Sequence, residues 1–426
     1  MRQGKVNLEG RGESMSRALK LVYIVGTFPS LTTTFIDREI KSLRKRGVDL
    51  HVVSIRRPVP GTPLSAEQQG FQQEVTYLLP VNWLSFVVGN LYFILRRPGV
   101  YFRTLFYLVT RPHPGLKSRV MTVLHFGEGV YAAHLLRGRS FAQLHAHFVG
   151  RAAVVALIAS RLLGVPYGLT AHANDIYVRP VLLREKIAEA RFVTTCTRYN
   201  QDYLRRVVGN GLNDKLHLVY HGLDLTNYQP PACRSREDPP LLLSIGRLME
   251  KKGFSYLIAA CRRLKDRGYD FRCHIVGEGP LRQTLQDQVN QFGLDGMVTL
   301  CGAMPHEGVL EKYRQAALFS LPCVVGQDGD RDGIPNVLIE AMAMQLPVVS
   351  TRHSGIPELV EDEVSGLLVT PNDEDGLADA LARLLDSPDL CARLGQRGRR
   401  KVLEDFEVEH NVHRLYDLFV NLGSDE

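Results

Sequence analysis

At 426 residues the chain exceeds what one ordinary core accommodates, so two or three domains are expected. A composition of 45% hydrophobic and 23% charged residues excludes a disordered chain, and the lack of any run of 18 apolar residues excludes a predicted membrane-spanning helix. The net charge of +7 is unevenly divided: residues 1–230 hold 30 Lys and Arg against 14 Asp and Glu, while residues 231–426 hold 22 against 31.

In chain order, "LKLVYIVG" predicts a strand ending at Gly26, followed by a helix over 33–46 and a strand at "DLHVVSI". After an interruption come "QLHAHF", a helix over 149–163, "PYGLTAH", and strands near 192–195 and 216–220. The second half restarts with "PPLLLSIGR", a helix from Phe254, "FRCHIVG", a helix from Pro280, "MVTLCG", "LFSLP", a helix over 335–344 and "PVVST". Strands alternating with amphipathic helices predict an α/β protein of two doubly wound parallel-sheet units. The expected division is a flexible N-terminus over 1–19, a first domain over 20–227, a linker over 228–240 rich in proline and charge, and a second domain over 241–408. Residues 409–426 form an amphipathic helix that can cross back onto the first domain.

Residues 75–120 break the alternation. Nine aromatics lie between Tyr77 and Tyr107, with Arg96, Arg97, Arg103, Arg111, Lys117 and Arg119 interspersed. This is the composition of an interfacial membrane helix, or of a helical core with snorkelling arginines. With the basic first half it points to an anionic partner. The seven cysteines are scattered, with no Cys-x-x-Cys, which argues for a reducing compartment and against a disulfide framework or a zinc site. The first twenty residues hold no apolar signal-peptide core, so a cytoplasmic location is expected.

Ligands bind outside the carboxyl ends of strands in open parallel sheets, so polar residues there are the candidates. In "SIGRLMEKKG", Arg247 and Lys252 follow a strand and suit a diphosphate. In "IVGEGPLR", Gly277 and Gly279 permit close backbone approach at a helix start, but the spacing is not that of a dinucleotide fingerprint. In "DGIPNVLIEAMAM", Gly333, Ile334, Pro335 and Asn336 form a helix start whose dipole favours an anion. Glu340 is the only charge on an otherwise apolar helix and therefore needs a partner. That partner is either a ribose with its paired hydroxyls or an internal arginine. Asp332 either holds a sugar hydroxyl or helps cap the helix.

"SIGRLMEKKG", "IVGEGPLR", "LFSLPCV", "DGIPNVLIEAMAMQLPVVST" and "SGIPELVEDEVSGLLV" occur in the order and spacing of one family. From about residue 20 the chain resembles the retaining glycosyltransferases of family 4, with their GT-B fold of two facing Rossmann-like domains. "FPSLTTTFI" resembles the acceptor side of bacterial exopolysaccharide enzymes of the colanic-acid type. The resemblance implies that Arg247 and Lys252 bind the donor diphosphate, Glu340 the nucleotide ribose and Asp332 the donor sugar. It implies that Gly26 lets a loop approach the diphosphate and that His172 in "TAHANDIY" reaches the reaction centre. His145 and His147 lie near a strand end and are weaker candidates, while His221 and Asp224 of "HGLD" read as hinge and packing residues.

Two departures stand out: Asp332 where the family has Glu, and Gln345 where relatives carry Gly, which strains the turn if φ is positive there. The implied activity moves a sugar with retention from a nucleotide-diphosphate donor, UDP in preference to GDP, to a saccharide on a polyprenyl diphosphate. It implies no cofactor, no metal and no nucleic acid. Trp83, Phe93, Arg96, Arg97 and Arg103 would dock peripherally on the inner face of the plasma membrane. The rival readings are a transferase with a soluble acceptor, as in glycogen or sucrose synthesis, a nucleotide-sugar epimerase of the same fold, and a non-catalytic nucleotide-sugar binding protein.

Overall fold

The computed structural model describes residues 18–30, 33–62, 64–178, 180–209, 212, 214–231 and 238–421. Most of the N-terminal segment 1–19, the middle of the linker at 232–237, and Leu31 and Thr32 of "FPSLTTTFI" lie outside the described residues.

The first half forms one sheet from β1 (Lys20–Thr27), β2 (Asp49–Arg56), β3 (Thr76–Tyr77), β4 (Gln143–His147), β5 (Tyr167–Ala171), β6 (Val193–Thr195) and β7 (Leu216–Leu218). Their order is β3-β2-β1-β4-β5-β6-β7. The second half forms a sheet from β8 (Leu241–Ile245), β9 (Arg272–Val276), β10 (Val298–Gly302), β11 (Leu318–Leu321), β12 (Val348–Thr351) and β13 (Leu367–Val369), in the order β10-β9-β8-β11-β12-β13. All pairings are parallel, with Ile24 of β1 opposite both Val53 and Ala146. Strands such as "YGLTA" and "LLLSI" are buried along their whole length because helices cover both faces. The short edge strands β3 and β13 go beyond the predicted alternation, since two or three residues carry too little pattern to read.

In each sheet the chain reverses direction of growth at its first strand, between β1 and β4 and between β8 and β11. Those switch points set the strand ends that can hold a ligand. Gly277 follows β9, beside the β8 end, with φ +145°, and a side chain there would collide with the Gly246 carbonyl. The glycine therefore seats the loop carrying Arg247 against the neighbouring strand end.

The interruption folds into three helices, Trp83–Arg96, Pro98–Thr110 and Leu116–Leu136. The second and third pack onto the helix Arg151–Leu163 and the first onto the other two; a Cβ on Gly129 would come 2.6 Å from the Ile158 side chain, so only glycine permits this approach. Phe93, expected at a membrane-facing surface, is instead in the core, packed by its helix against the domain. Arg97 stays exposed while one of its guanidinium nitrogens donates to the Leu162 carbonyl at 3.0 Å. The outer face remains apolar: Trp83, Leu84, Leu95 and Phe106 are 71%, 77%, 78% and 71% exposed. No helix among the described residues is long and apolar enough to cross a membrane.

The two halves meet through a second crossing of the chain. Leu223 bridges Glu407, and the helix Val408–Asn421 then packs on the first-half helix Thr34–Lys45. Ser42 donates to Glu409 at 2.7 Å, and Val408, Val412, Leu415 and Phe419 join the core beside β1.

Candidate active site

A cleft of about 630 Å³ lies between the carboxyl ends of the two sheets. From the first half it is lined by Thr33 and Phe35 ahead of β2, Phe148 after β4, His172 and Asn174 after β5, Cys196 after β6 and His221 after β7. From the second half come Gly246, Arg247 and Met249 after β8, the Lys251–Lys252 turn, and the loop and helix start over 330–337. His172, Arg247, Lys252, Asp332, Gly333, Ile334, Pro335 and Asn336 are thus brought together from positions 172 to 336 in the chain.

The two lysines and two aspartates of this cleft are paired with one another. Lys252 Nζ is 2.6 Å from Asp332 Oδ2, and Lys251 Nζ is 2.9 Å from Asp330 and 3.4 Å from Asp332. Burial works against the Asp332 charge, but Lys252 and then Lys251 outweigh it and hold the carboxyl below its ordinary range. Burial likewise opposes the Lys252 charge, and Asp332 more than restores it. The Arg247 guanidinium, exposed at the end of β8, makes no ion pair with the described residues. An anion entering the cleft therefore meets one unengaged guanidinium and must compete for Lys252. The sequence reading passed over Lys251 and Asp330; the repeated lysine and the Asp-Gly-Asp spacing ahead of Asp332 were the available signals.

The helix Asn336–Ala343 begins without a side-chain cap, so Asp332 does not cap it and its first N–H groups face the cleft loop. Glu340 lies outside the cleft lining. Its Oε2 accepts from the Tyr313 hydroxyl at 3.1 Å, and its Oε1 is 3.8 Å from Arg38 Nη2. Arg38 spends its hydrogen bonds elsewhere, on the Gly222 carbonyl at 3.1 Å and Thr34 at 3.3 Å. The internal arginine foreseen as one answer to this carboxylate is therefore present at ion-pair range.

Gly26 lies within β1, outside the cleft lining, with open space where a Cβ would stand. His145 and His147 are core residues and do not reach the cleft. His145 Nε2 is 2.7 Å from Thr170 Oγ1, and His147 Nε2 is 3.1 Å from Glu39, which also accepts from Tyr23 at 2.6 Å. Asp224 caps a short turn by accepting from Thr226 N at 3.0 Å, in keeping with a packing role. His221 does more than pack, because it reaches the cleft beside His172 with ring centroids 5.1 Å apart.

Burial, and then the neighbouring histidines, push the His172 imidazole well below its usual range, and burial pushes His221 down to about 4. Both rings are neutral near pH 7 and can accept or donate a hydrogen bond without charge. Phe148, its ring centroid 4.2 Å from that of His172, sits at φ +72°. A bulky residue held in the left-handed region at a cleft wall marks a locally strained backbone, which no pattern in the sequence announces.

The profile of the glycosyl transferases of group 1 matches residues 229–401. WcaL of Escherichia coli (strain K12), a glycosyltransferase assigned to colanic acid biosynthesis, is 43% identical over 198 residues, covering 46% of this chain and 48% of that protein. The chain thus spans about half the length of this relative. The alpha-D-kanosaminyltransferase of Streptomyces kanamyceticus is 30% identical over 312 residues, covering 68% of this chain and 79% of that protein. Among solved structures, Anabaena HepE in complex with UDP-glucose superposes with a TM-score of 0.70 at 15% identity, covering 95% of this chain and 100% of that one. At that identity the likeness is one of fold.

Proposed function

The chain belongs to the group 1 glycosyl transferases, and from that premise we propose that it transfers a sugar, with retention, from a UDP-linked donor to a hydroxyl of a growing lipid-linked saccharide in exopolysaccharide synthesis. The observation that carries the reading is the meeting, in one cleft, of the Arg247–Lys252 strand end with the uncapped helix start at Asn336, across from His172.

In this reading Arg247, Lys252 and the N–H groups of Gly333, Ile334 and Asn336 hold the diphosphate. They stabilise the charge that develops on it as its bond to the sugar C1 breaks. Asp332 accepts from a donor-sugar hydroxyl once Lys252 turns to phosphate. His172, neutral and recessed, hydrogen-bonds the sugar, and Glu340 accepts from the ribose hydroxyls by exchanging its weak 3.8 Å contact with Arg38 for shorter ones. The acceptor oxygen attacks C1 from the face the diphosphate leaves. Its proton passes to the departing phosphate oxygen, so no enzymic nucleophile is required. The cations and the helix dipole take the part a metal ion would play, and activity is expected to survive excess EDTA.

WcaL's assignment supports the exopolysaccharide setting, and the UDP-glucose held by HepE supports the donor class. The exposed apolar face of the three inserted helices, with Arg96 and Arg103, suits peripheral contact with an anionic inner leaflet where a polyprenyl-linked acceptor would lie. The test is a product assay over UDP- and GDP-sugars with lipid-linked acceptors, with the anomeric configuration read by NMR. Release of nucleoside diphosphate matched by a new glycosidic bond of the donor's anomeric configuration is the expected result. Interconversion of the donor without transfer would replace this reading with that of an epimerase.

A further inference from the structure

A second cavity, of about 300 Å³, adjoins the cleft and shares Asn174 with it. The start of the helix Arg151–Leu163 lines it without a side-chain cap, so the first N–H groups of that helix lack an intrahelical partner. Ser118, Thr122 and His125 of the inserted helix Leu116–Leu136 line it as well, and the Ser118 Oγ atom is buried with no hydrogen-bond partner. Lys186, from the helix Leu183–Glu189, is 2% exposed, donates to the Val149 carbonyl and makes no ion pair with the described residues. Burial lowers its pKa to about 8, against the attraction of Asp175 and Glu185. A buried ammonium without a carboxylate partner is costly, and an entering anion relieves that cost. Two acidic groups stand near. Asp175 lines the cavity but spends its oxygens on amides, Oδ1 accepting from His172 N at 2.9 Å and Oδ2 from Val149 N. Burial raises its pKa to about 7, which weakens its opposition to a neighbouring anion. Glu128 is engaged by Arg151, whose Nε donates to it at 2.6 Å.

We propose that this cavity binds the diphosphate of the lipid-linked acceptor, as a second anion site separate from that of the donor, with the acceptor's prenyl chain leaving along the inserted helix. The Lys186 ammonium, the free N–H groups and dipole of the helix start, and the Ser118 hydroxyl supply the donors that a diphosphate needs. Met121 lines the cavity and is exposed, and Leu116, Val120 and Leu124 on the same helix are exposed too. A site that is cationic within and apolar at its rim fits a diphosphate ester carrying an apolar chain. A soluble sugar brings no charge for Lys186 to meet and no chain for these side chains to cover. Because Asn174 belongs to both spaces, a saccharide attached to the diphosphate enters the cleft beside His172. The inference rests on the reading that the acceptor is lipid-linked, and gives that acceptor its place.

The test uses the full chain and a probe that carries no sugar, so it is read by binding and not by transfer. Farnesyl diphosphate, inorganic pyrophosphate and farnesol are each titrated by calorimetry, with the farnesyl diphosphate kept below its micellar concentration. Farnesyl diphosphate should bind at least tenfold tighter than inorganic pyrophosphate, farnesol should not bind, and excess UDP or GDP should not displace the farnesyl diphosphate. Lys186→Met should weaken farnesyl diphosphate binding at least tenfold. Met121→Glu, which sets a like charge at an exposed position on the rim, should weaken it as well and carries the test if Lys186→Met fails to fold. Three results overturn the proposal: no binding by the wild type, displacement by nucleotide, or full affinity in a folded variant. Equal affinity for inorganic pyrophosphate overturns it too, because the site would then serve free phosphates and not a lipid. Any of these leaves the transfer reading standing. Absence of transfer in the product assay would overturn that reading and leave the binding result untouched.

Discussion

The Lys252 ammonium lies 2.6 Å from Oδ2 of Asp332, largely out of water, so the cation proposed for the diphosphate is already neutralised by the acid proposed for the sugar. Donor binding must therefore exchange one partner for another, which links the two roles. Asp332→Asn leaves Lys252 uncompensated and should cost stability, on the order of 1–3 kcal/mol. Nucleoside diphosphate should then raise the melting temperature more in the variant than in the wild type, and bind it several-fold tighter by calorimetry. Transfer should fall at the same time. Weaker nucleotide binding by the variant would show that Lys252 does not serve the phosphates.

The same pair has a pH signature. Asp332 has a lowered folded pKa, so its contribution is present above the unfolded carboxyl pKa and is lost as pH falls through the lower folded value. Lys252 has a raised folded pKa, so its contribution is present below the unfolded lysine pKa and is lost as pH rises through the higher folded value. Asp332→Asn should remove part of the acid limb of the stability curve.

Glu340 can serve the ribose or merely satisfy Tyr313 and Arg38, and two variants separate these possibilities. Glu340→Gln should fold and raise the donor KM about tenfold, the loss expected for one charge-assisted hydrogen bond. Tyr313→Phe removes a protein donor to the same carboxylate and should lower stability by about 1 kcal/mol while leaving the donor KM unchanged. If both variants alter stability alone, the carboxylate is a structural partner and the ribose assignment fails.

Gln345, where the family resemblance led to an expectation of glycine, sits at φ +59°. The strain that the sequence made conditional on a positive φ is therefore built into the turn before β12. Gln345→Gly should stabilise the chain by roughly 0.5–1 kcal/mol, after allowing for the greater unfolded-state freedom of glycine. Urea unfolding measures this, and a destabilised variant would show that the side chain contributes more than its backbone costs.

Asp37 is buried against Gln68, whose Nε2 donates to it at 2.8 Å, and burial raises its pKa to about 6. The folded chain keeps this proton to about pH 6, whereas the unfolded chain releases it near pH 3.8, so stability falls as pH rises through that window and then levels. Asp37→Asn should abolish the slope and stabilise the protein near pH 7, on the order of 2 kcal/mol. An unchanged pH profile would mean that Arg38 and Lys41 already hold the carboxylate charged.

Flotation with anionic liposomes tests the inserted helices. The chain should float at low ionic strength, and replacing Trp83, Leu84 and Leu95 with serine should abolish flotation without altering nucleotide binding, because these side chains face solvent and none lines the cleft. Failure of the unaltered chain to float at low salt would remove the membrane from the account.

The sequence alone determined the alternation of elements, because strands buried on both faces must be continuously apolar and their covering helices amphipathic. It likewise located Arg247, Lys252, Asp332 and the helix start at Asn336, since a parallel sheet places its ligands at strand ends. Properties that depend on what lies across a gap were not legible. Lys252 is tied to Asp332, Glu340 is shared by Tyr313 and Arg38, Gly277 lies against the Gly246 carbonyl, and Phe93 turns inward. The grouping of His172, Cys196 and His221 is the plainest case. Parallel pairing brings side chains two dozen positions apart to within 4.8 Å of each other, and that pairing is a long-range property no local pattern encodes.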